Sequence, residues 1–428
     1  MAHPIYHEAN HACCTPGKTK LITLAKDNSA EQSRSTLIKT IWDNRTLAYD
    51  YAQFEQTAVL INDAIARGWQ KKKPFKLAKQ NPFNMGLEFG EPDYRTLQMF
   101  ELNTYRFAAA KTGAMVQELN SLVKSADTFN DFRKNAEKLT TLYNENYLRA
   151  EYDFAWNASH NAAQYHRQQK QIKNFPIWQY KTAGDDRVRQ AHANLNGMKF
   201  KATDPIWDSI YPPNGWGCRC YVKTLRSGNI TQGNKAIETL QSSAVDKNGV
   251  SEWDRMIKGG FNKNRAKTSE IFDIGRNYLK NDLRQRLSWK DQGLKDYKDM
   301  DQTKFPELKT IEKTKDEAIK WAKENEILSD YNNRKIRLHL KSTKNHLKKP
   351  NRENLIELIP EIIQMPSEVF FWNDGNKRDM IRYIKYYNGR VLNVVTLIRE
   401  GEIQVQSWYE ITKNLQNEKR VGILIKKL

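Results

Sequence analysis

The sequence predicts a multi-domain protein. A mainly α N-terminal and central region with a loop-rich motif precedes a C-terminal α+β domain, whose helices pack on an antiparallel sheet of four to five strands. Three observations predict it. The chain has 428 residues, long enough for two or three domains of ordinary size. Apolar residues recur at helical spacing as far as His166. Beyond Lys335 the pattern changes to short β-like runs separated by turn residues.

Taken in order, residues 1–75 form a leader and a helical segment. His3, His7, His11, Cys13 and Cys14 match no metal-ligand spacing, so the leader reads as polar and frayed. From Ser35 to Ala66, Leu37, Ile41, Leu47, Tyr51, Phe54, Val59 and Ile65 follow a helical pattern. The basic stretch Lys71–Lys76 reads as a solvated linker. Residues 76–226 begin with long helix over Tyr94–His166, and Thr128–Tyr165 contains neither Pro nor Gly. At Phe175 the texture changes, with Pro, Gly and Trp dense through Tyr221, which signals a compact element built on special backbone angles.

Residues 227–310 read as a connecting region, with one helical pattern over Ile271–Leu287 and a charged linker at Ser288–Pro306. Residues 311–428 form the α+β domain. Its expected elements are a helix over Ile311–Glu326, a strand over Lys335–Lys341, and helices at Ser342–Lys348 and Arg352–Gln364. Strands follow at Glu368–Trp372, Met380–Tyr387, Arg390–Arg399 and Glu402–Tyr409, with Arg420–Lys427 as a fifth. Asn388-Gly389 is a two-residue hairpin signal.

Composition narrows the function. Apolar residues make up 39% and aromatics 11%, enough to fill cores and to exclude wholesale disorder. Lys and Arg number 70 against 50 Asp and Glu, and the resulting +20 suits an anionic partner such as nucleic acid. No apolar run approaches the roughly 18 residues of a membrane helix. Met1–His7 lacks the features of a secretory signal, so no membrane insertion is expected. Four cysteines do not build a disulfide scaffold in such a chain, which points to a reducing compartment.

Two stretches carry candidate chemistry. In the first, Asp185, Asp186, Arg187, Arg189 and His192 lie close together. Pro212, Pro213, Gly215 and Gly217 impose a turn that can bring Cys218 and Cys220 back against His192. Four readings stay open: a hydrogen-bonded structural cluster, a redox-labile cysteine pair, a structural zinc site, and a catalytic Cys–His pair. The zinc site would use His192, Cys218 and Cys220 with Asp185 or Asp186 as fourth ligand, although C-x-C is a poor zinc spacing. The catalytic pair lacks an orienting third group.

The D-x-R-V-R-x-x-H-x-x-L-x-G segment from Asp185 and the P-P-N-G-x-G-C-R-C turn from Pro212 resemble the Mu protein F head-morphogenesis family of tailed phages. The resemblance covers about residues 80–225. It implies a minor capsid protein with portal and capsid proteins as partners, found in the virion or the bacterial cytoplasm. It also implies that a C-terminal toxin domain can be fused to it.

The second stretch, Tyr331–Lys349, holds Arg334, Lys335, Arg337, Lys341, Lys344, Lys348 and Lys349 and no acid. On the expected strand, Arg337, His339 and Lys341 share the face opposite Ile336, Leu338 and Leu340. An imidazole between cations suits phosphodiester chemistry, and His346 supplies a second imidazole. Arg337, Lys344 and Arg382 are candidate phosphate-binding residues. A plain solvated basic edge fits the same residues.

With its meander ending near Ser407-Trp408-Tyr409, this domain resembles the phage-associated nucleases of the barnase, EndoU, colicin and RelE-like class. The resemblance implies a ribonuclease that needs no metal or other cofactor. It implies that Ser407 contacts the phosphate and that Tyr409 stacks on a base or donates its hydroxyl. His339, His346, Lys341, Ser407 and Tyr409 are then the candidate catalytic residues, with base and acid unassigned between the histidines.

The function expected is a phage minor head protein fused to a ribonuclease toxin that cleaves RNA by 2′-hydroxyl attack, with an immunity protein as a candidate partner. The alternative is a non-enzymatic head protein whose basic C-terminal domain binds packaged nucleic acid. An ADP-ribosyltransferase is disfavoured, because no Arg…Ser-x-Ser…Glu-x-Glu pattern occurs.

Overall fold

The computed structural model describes residues 28–71, 87–243, 248–278, 283–375 and 378–428. The leader histidines and cysteines and most of Lys71–Lys76 lie outside the described residues. Helices α1 (Asn28–Asn44) and α2 (Tyr51–Trp69) replace the single helical segment expected over Ser35–Ala66. The break falls where Arg45 takes a left-handed φ of 60° and Asp50 caps α2 by accepting from the Gln53 N–H.

Helix α3 (Pro92–Ser125) is followed by α4 (Phe129–Thr141) and α5 (Leu148–Lys170). A π-helical turn at Leu142–Tyr147 joins α4 to α5, so the Pro- and Gly-free stretch is indeed continuous helix. Where α2 crosses α5 the backbones nearly touch. A Cβ added at Gly68 would lie 2.2 Å from the Trp156 carbonyl oxygen. Gly68→Ala should therefore destabilise the protein by about 1–3 kcal/mol despite alanine's better helix propensity. Thermal denaturation checks this, and an unchanged or higher Tm would contradict it.

The loop-rich element is a three-stranded antiparallel sheet with β1 (Ile177–Lys181) at its centre. Between β1 and β2 (Lys199–Lys201) lies α6 (Gln190–Leu195), and α7 (Trp207–Ile210) precedes β3 (Tyr221–Leu225). Trp178, Tyr180, Trp207 and Tyr211 fill its interior.

Residues 227–310, expected to connect, pack against the rest of the chain. Helices α8 (Lys235–Ser242), α9 (Glu252–Gly259), α10 (Arg265–Thr268) and α11 (Ile274–Asn277), with the loops between them, send Leu240, Met256, Phe261, Ala266 and Phe272 into the helical core. Leu287 and Tyr297 enter the C-terminal core. The helix expected over Ile271–Leu287 is not formed as one piece. It is reduced to α11 and a 3₁₀ turn at Leu283–Gln285, with residues 279–282 outside the described set.

Residues 311–428 open with α12 (Lys315–Glu324), held by a Thr314–Glu317 capping box. Then come β4 (Ile327–Ser329), β5 (Lys335–Arg337), α13 (Leu340–His346) and α14 (Ile359–Gln364). The meander follows as β6 (Glu368–Asn373), β7 (Asp379–Tyr387), β8 (Arg390–Arg399) and β9 (Glu402–Glu410), and β10 (Ile423–Lys426) closes it. Helices on a sheet are thus observed as expected. The sheet is larger, however, with seven strands among the described residues in the order β10-β6-β7-β8-β9-β5-β4. It is also mixed, because β5 adds to the edge of β9 in parallel.

One expected element is corrected. The strand over Lys335–Lys341 ends at Arg337, and the chain turns at His339 into α13, where the Thr343 N–H donates to the His339 carbonyl at 3.0 Å. Hence Arg337, His339 and Lys341 do not share a strand face.

Helix α3 serves both cores, which explains its nearly all-round burial. Phe100, Phe107, Met115 and Leu119 belong to the helical core. Leu102, Tyr105, Ala108 and Ala109 belong to the core of the C-terminal sheet. Among the described residues no helix is long and apolar enough to cross a membrane.

Candidate functional site

In the central motif, Arg189 pins the Pro212–Gly217 turn by donating to the Trp216 carbonyl at 2.7 Å. Gly217 takes a φ of +67°, a left-handed turn that glycine makes without steric cost, and Cys218 follows it inward. The Nδ1 of His192 sits 3.8 Å from Cys218 Sγ and 3.7 Å from Cys220 Sγ, and all three side chains are buried. Its Nε2 lies 3.0 Å from Glu252 Oε1 on α9. Burial works against a charged His192, but hydrogen bonds with Cys218 and Glu252 hold its pKa above the ordinary value. The bond to Cys220 pulls the Cys218 thiol well down, against its burial.

The acids expected as fourth ligand do not reach this group. Asp185 is exposed and grips Arg219 through two contacts of 2.6 Å. Those bonds pull its carboxyl down to about 2. Asp186 is exposed as well. The carboxylate that does reach the imidazole, Glu252, is 60 residues away in sequence and carries no motif that sequence reasoning could use.

In the C-terminal domain, strand register sets the second site. Arg382 on β7 stands opposite Val395 on β8, which stands opposite Ser407 on β9. Residues directly opposite share a face, so Arg382 and Ser407 point to the same side, and Tyr409 joins them by the two-residue repeat. Asn393, opposite Tyr409, lies on that face too.

Arg382 is 5% exposed, with its guanidinium 4.3 Å over the Trp372 ring and donating to the Lys419 carbonyl. Burial pulls its pKa down to about 10. Arg352 reaches Tyr409 from the side of β9 that β5 leaves unpaired beyond Gln404, with its guanidinium 5.0 Å over the phenol ring and bonded to the Trp408 carbonyl. The amide of Asn393 is buried with neither polar atom hydrogen-bonded in the structure.

His346 stands at the same edge, its ring centroid 5.5 Å from that of Trp408. Burial lowers its pKa, and Lys349 and Arg352 lower it further. His339 lies at the other end of α13, about 10 Å away by helix rise, and is exposed. Lys341 and Lys344 are exposed on α13. Arg337 is already paired, to Glu326 and, at 3.3 Å, to Glu402.

The structure therefore puts Arg382, Ser407 and Tyr409 on one face of the sheet and sets His346 against Trp408 of the opposite face. It leaves His339 and Lys341 toward the start of α13, and ties Arg337 into ion pairs beside the start of β9. Arg352 and Asn393 escaped sequence reasoning. A lone amide among the branched residues of β8 was a signal that could have found Asn393.

Comparison with known proteins bears on both sites. Residues 115–223 match the family described as Phage Mu protein F like protein. Residues 307–426 match the family described as phage-Barnase-EndoU-ColicinE5/D-RelE like nuclease2. The Mu-like prophage FluMu F protein of Haemophilus influenzae is 43% identical over 67 residues, 16% of each chain. The putative capsid assembly protein F of Escherichia phage Mu is 30% identical over 148 residues, 33% of this chain and 31% of the relative. The chain thus spans about a sixth and about a third of these relatives' lengths. No solved structure matches. One chain thus carries a segment, residues 115–223, similar to the Mu protein F-like family and a segment, residues 307–426, similar to the phage Barnase, EndoU, colicin and RelE-like nuclease family.

Proposed function

We propose that this is a phage head-associated protein, working with portal and capsid proteins, whose C-terminal domain is a metal-independent endoribonuclease. The capsid-assembly name of the phage Mu relative supports the first half. One observation carries the second. Two guanidiniums stand on the side of Tyr409, Arg352 over its ring and Arg382 on the same sheet face, and neither has a carboxylate partner among the described residues. A buried cation such as Arg382, and to a lesser degree a half-buried one such as Arg352, is costly without counter-charge unless an anion arrives, and a phosphodiester is such an anion.

In this reading Arg382 and Arg352 hold the scissile phosphate, Ser407 donates to a phosphate oxygen, and Tyr409 stacks on a base or donates its hydroxyl. His346, kept neutral at pH 7 by its lowered pKa, takes the proton from the attacking 2′-hydroxyl. A toxin role, with an immunity protein as restraint and action in the virion or the bacterial cytoplasm, follows from a nuclease fused to a head protein.

The test is RNA cleavage by the full chain in EDTA. Cleavage should survive chelation, fall about 10²–10⁴-fold in His346→Ala, and stay near wild type in His339→Ala. Because the base acts unprotonated and its pKa is lowered, the rate should reach its plateau at a lower pH than an ordinary histidine near 6.5 would give. Loss of cleavage on chelation, or a greater loss in His339→Ala, would contradict the assignment.

A second reading has its own support in the exposed Lys341, Lys344, Lys348 and Lys349 on and after α13, which suit a nucleic-acid backbone. A non-enzymatic head protein would bind DNA and RNA alike, with a steep salt dependence and no turnover.

A further inference from the structure

We propose that His192, Cys218 and Cys220 hold a zinc ion, with Glu252 fixing the imidazole from its far side and a water in the fourth place. The geometry comes first. Zinc bonds of about 2.05 Å to nitrogen and about 2.3 Å to sulfur, at tetrahedral angles, set each N···S edge at about 3.6 Å. The two edges here are 3.8 and 3.7 Å, and all three ligand atoms lie within 4.8 Å of one another.

The C-x-C spacing is not an obstacle. Gly217 turns the chain before Cys218, and Arg219 between the cysteines is drawn outward to Asp185, so both sulfurs face His192.

The hydrogen-bond accounting favours a cation over a plain polar cluster. Glu252 Oε1 accepts from His192 Nε2, which leaves Nδ1 with one lone pair aimed at two sulfurs. As neutral thiols they share one imidazole lone pair, and the second S–H is left to the other sulfur or to the Tyr180 hydroxyl, weak contacts for a buried place. As thiolates they bury negative charge with one imidazole to share. A divalent cation removes both difficulties, accepting the lone pair and both thiolates at once.

A buried carboxylate on the far nitrogen is the usual outer-sphere partner of a ligating histidine. Glu252 in turn is held by Arg255. A cavity of about 10 Å³ lined by His192, Cys218, Cys220 and Val188 adjoins the ligands, about the room one water needs. Because Glu252 begins α9, the ion would clamp the loop-rich motif to a segment outside the matched residues 115–223.

The experiment uses the full chain, purified without chelator, with zinc measured by mass spectrometry and cobalt substituted for spectroscopy. About one zinc per chain is expected, together with thiolate-to-cobalt charge-transfer bands and the visible bands of a tetrahedral ion. Cys218→Ser combined with Cys220→Ser should lose the metal. Glu252→Gln should bind zinc about 10–100-fold more weakly. Asp186→Ala should keep it, because that exposed carboxylate is not a ligand. Should the serine variants fail to fold, the cobalt spectrum of the unmodified chain decides by itself. A metal-free protein whose two thiols titrate freely, and whose melting is unmoved by zinc or chelator, would overturn the proposal.

Discussion

Replacing Arg382 with methionine is expected to lower RNA cleavage by the full chain about 10²–10³-fold, the usual loss when one charge-stabilising donor is removed. The same change should leave thermal stability level or raise it by about 0.5–2 kcal/mol. Both directions come from one fact. The guanidinium is 5% exposed, meets no carboxylate among the described residues, and has its Nε unbonded. Burial already lowers its pKa to about 10. Folding therefore desolvates this cation with only a backbone carbonyl and a ring face against it and no opposite charge, a cost that a substrate phosphate would repay and that methionine does not incur. Methionine also keeps contact with Trp372, on which the guanidinium now lies. Single-turnover cleavage and a thermal melt on the same samples check the pair. If Arg382 were an ordinary structural residue, stability would fall and the cleavage rate per folded molecule would hold.

How far the sequence revealed these sites depends on the range of the contacts that build them. The Asp185–Gly197 and Pro212–Cys220 motifs could be found because turn chemistry and ligand types lie within short stretches. The convergence of His192 with both cysteines follows from that local turn. Glu252 could not be found, since α9 returns to the motif only through packing in the helical core. In the C-terminal domain the meander was legible from its alternation and from Asn388-Gly389. The pairing of β5 with β9 was not, being a parallel contact between segments more than 60 residues apart. The extent of β5 misled for a physical reason. Ile336 and Leu338 are buried in strand and turn alike, so their alternation did not show that the chain turns into α13 at His339. Arg352 was hidden because it acts around a sheet edge, where no periodicity points.

Replacing Arg334 with alanine is expected to destabilise the protein by about 3–5 kcal/mol, the cost of leaving buried carboxylates without their counter-charge. Arg334 is fully buried between Asp330, at 2.6 Å, and Glu101 of α3, at 3.4 Å. Tyr383 and Tyr105 donate to the same two carboxylates at 2.8 Å each, which closes the network. Burial opposes the charge on Arg334, yet Asp330 and Glu101 hold its pKa well above the ordinary value. Burial also raises Glu101 even with the guanidinium beside it.

The sign of the pH dependence follows. A carboxyl with a raised folded-state pKa binds protons more tightly folded than unfolded, so its penalty shrinks as pH falls through that value. The deficit of Arg334→Ala should therefore be largest at neutral pH and smaller in mild acid. Urea unfolding at the two pH values measures it. Because Glu101 belongs to the helical region and Arg334 to the nuclease-like domain, the variant should also loosen one from the other. The unmodified chain should unfold these parts together, and Arg334→Ala should separate their transitions. A single unshifted transition would mean that the apolar face of α3, with Leu102, Tyr105, Ala108 and Ala109, holds the two together without the charges.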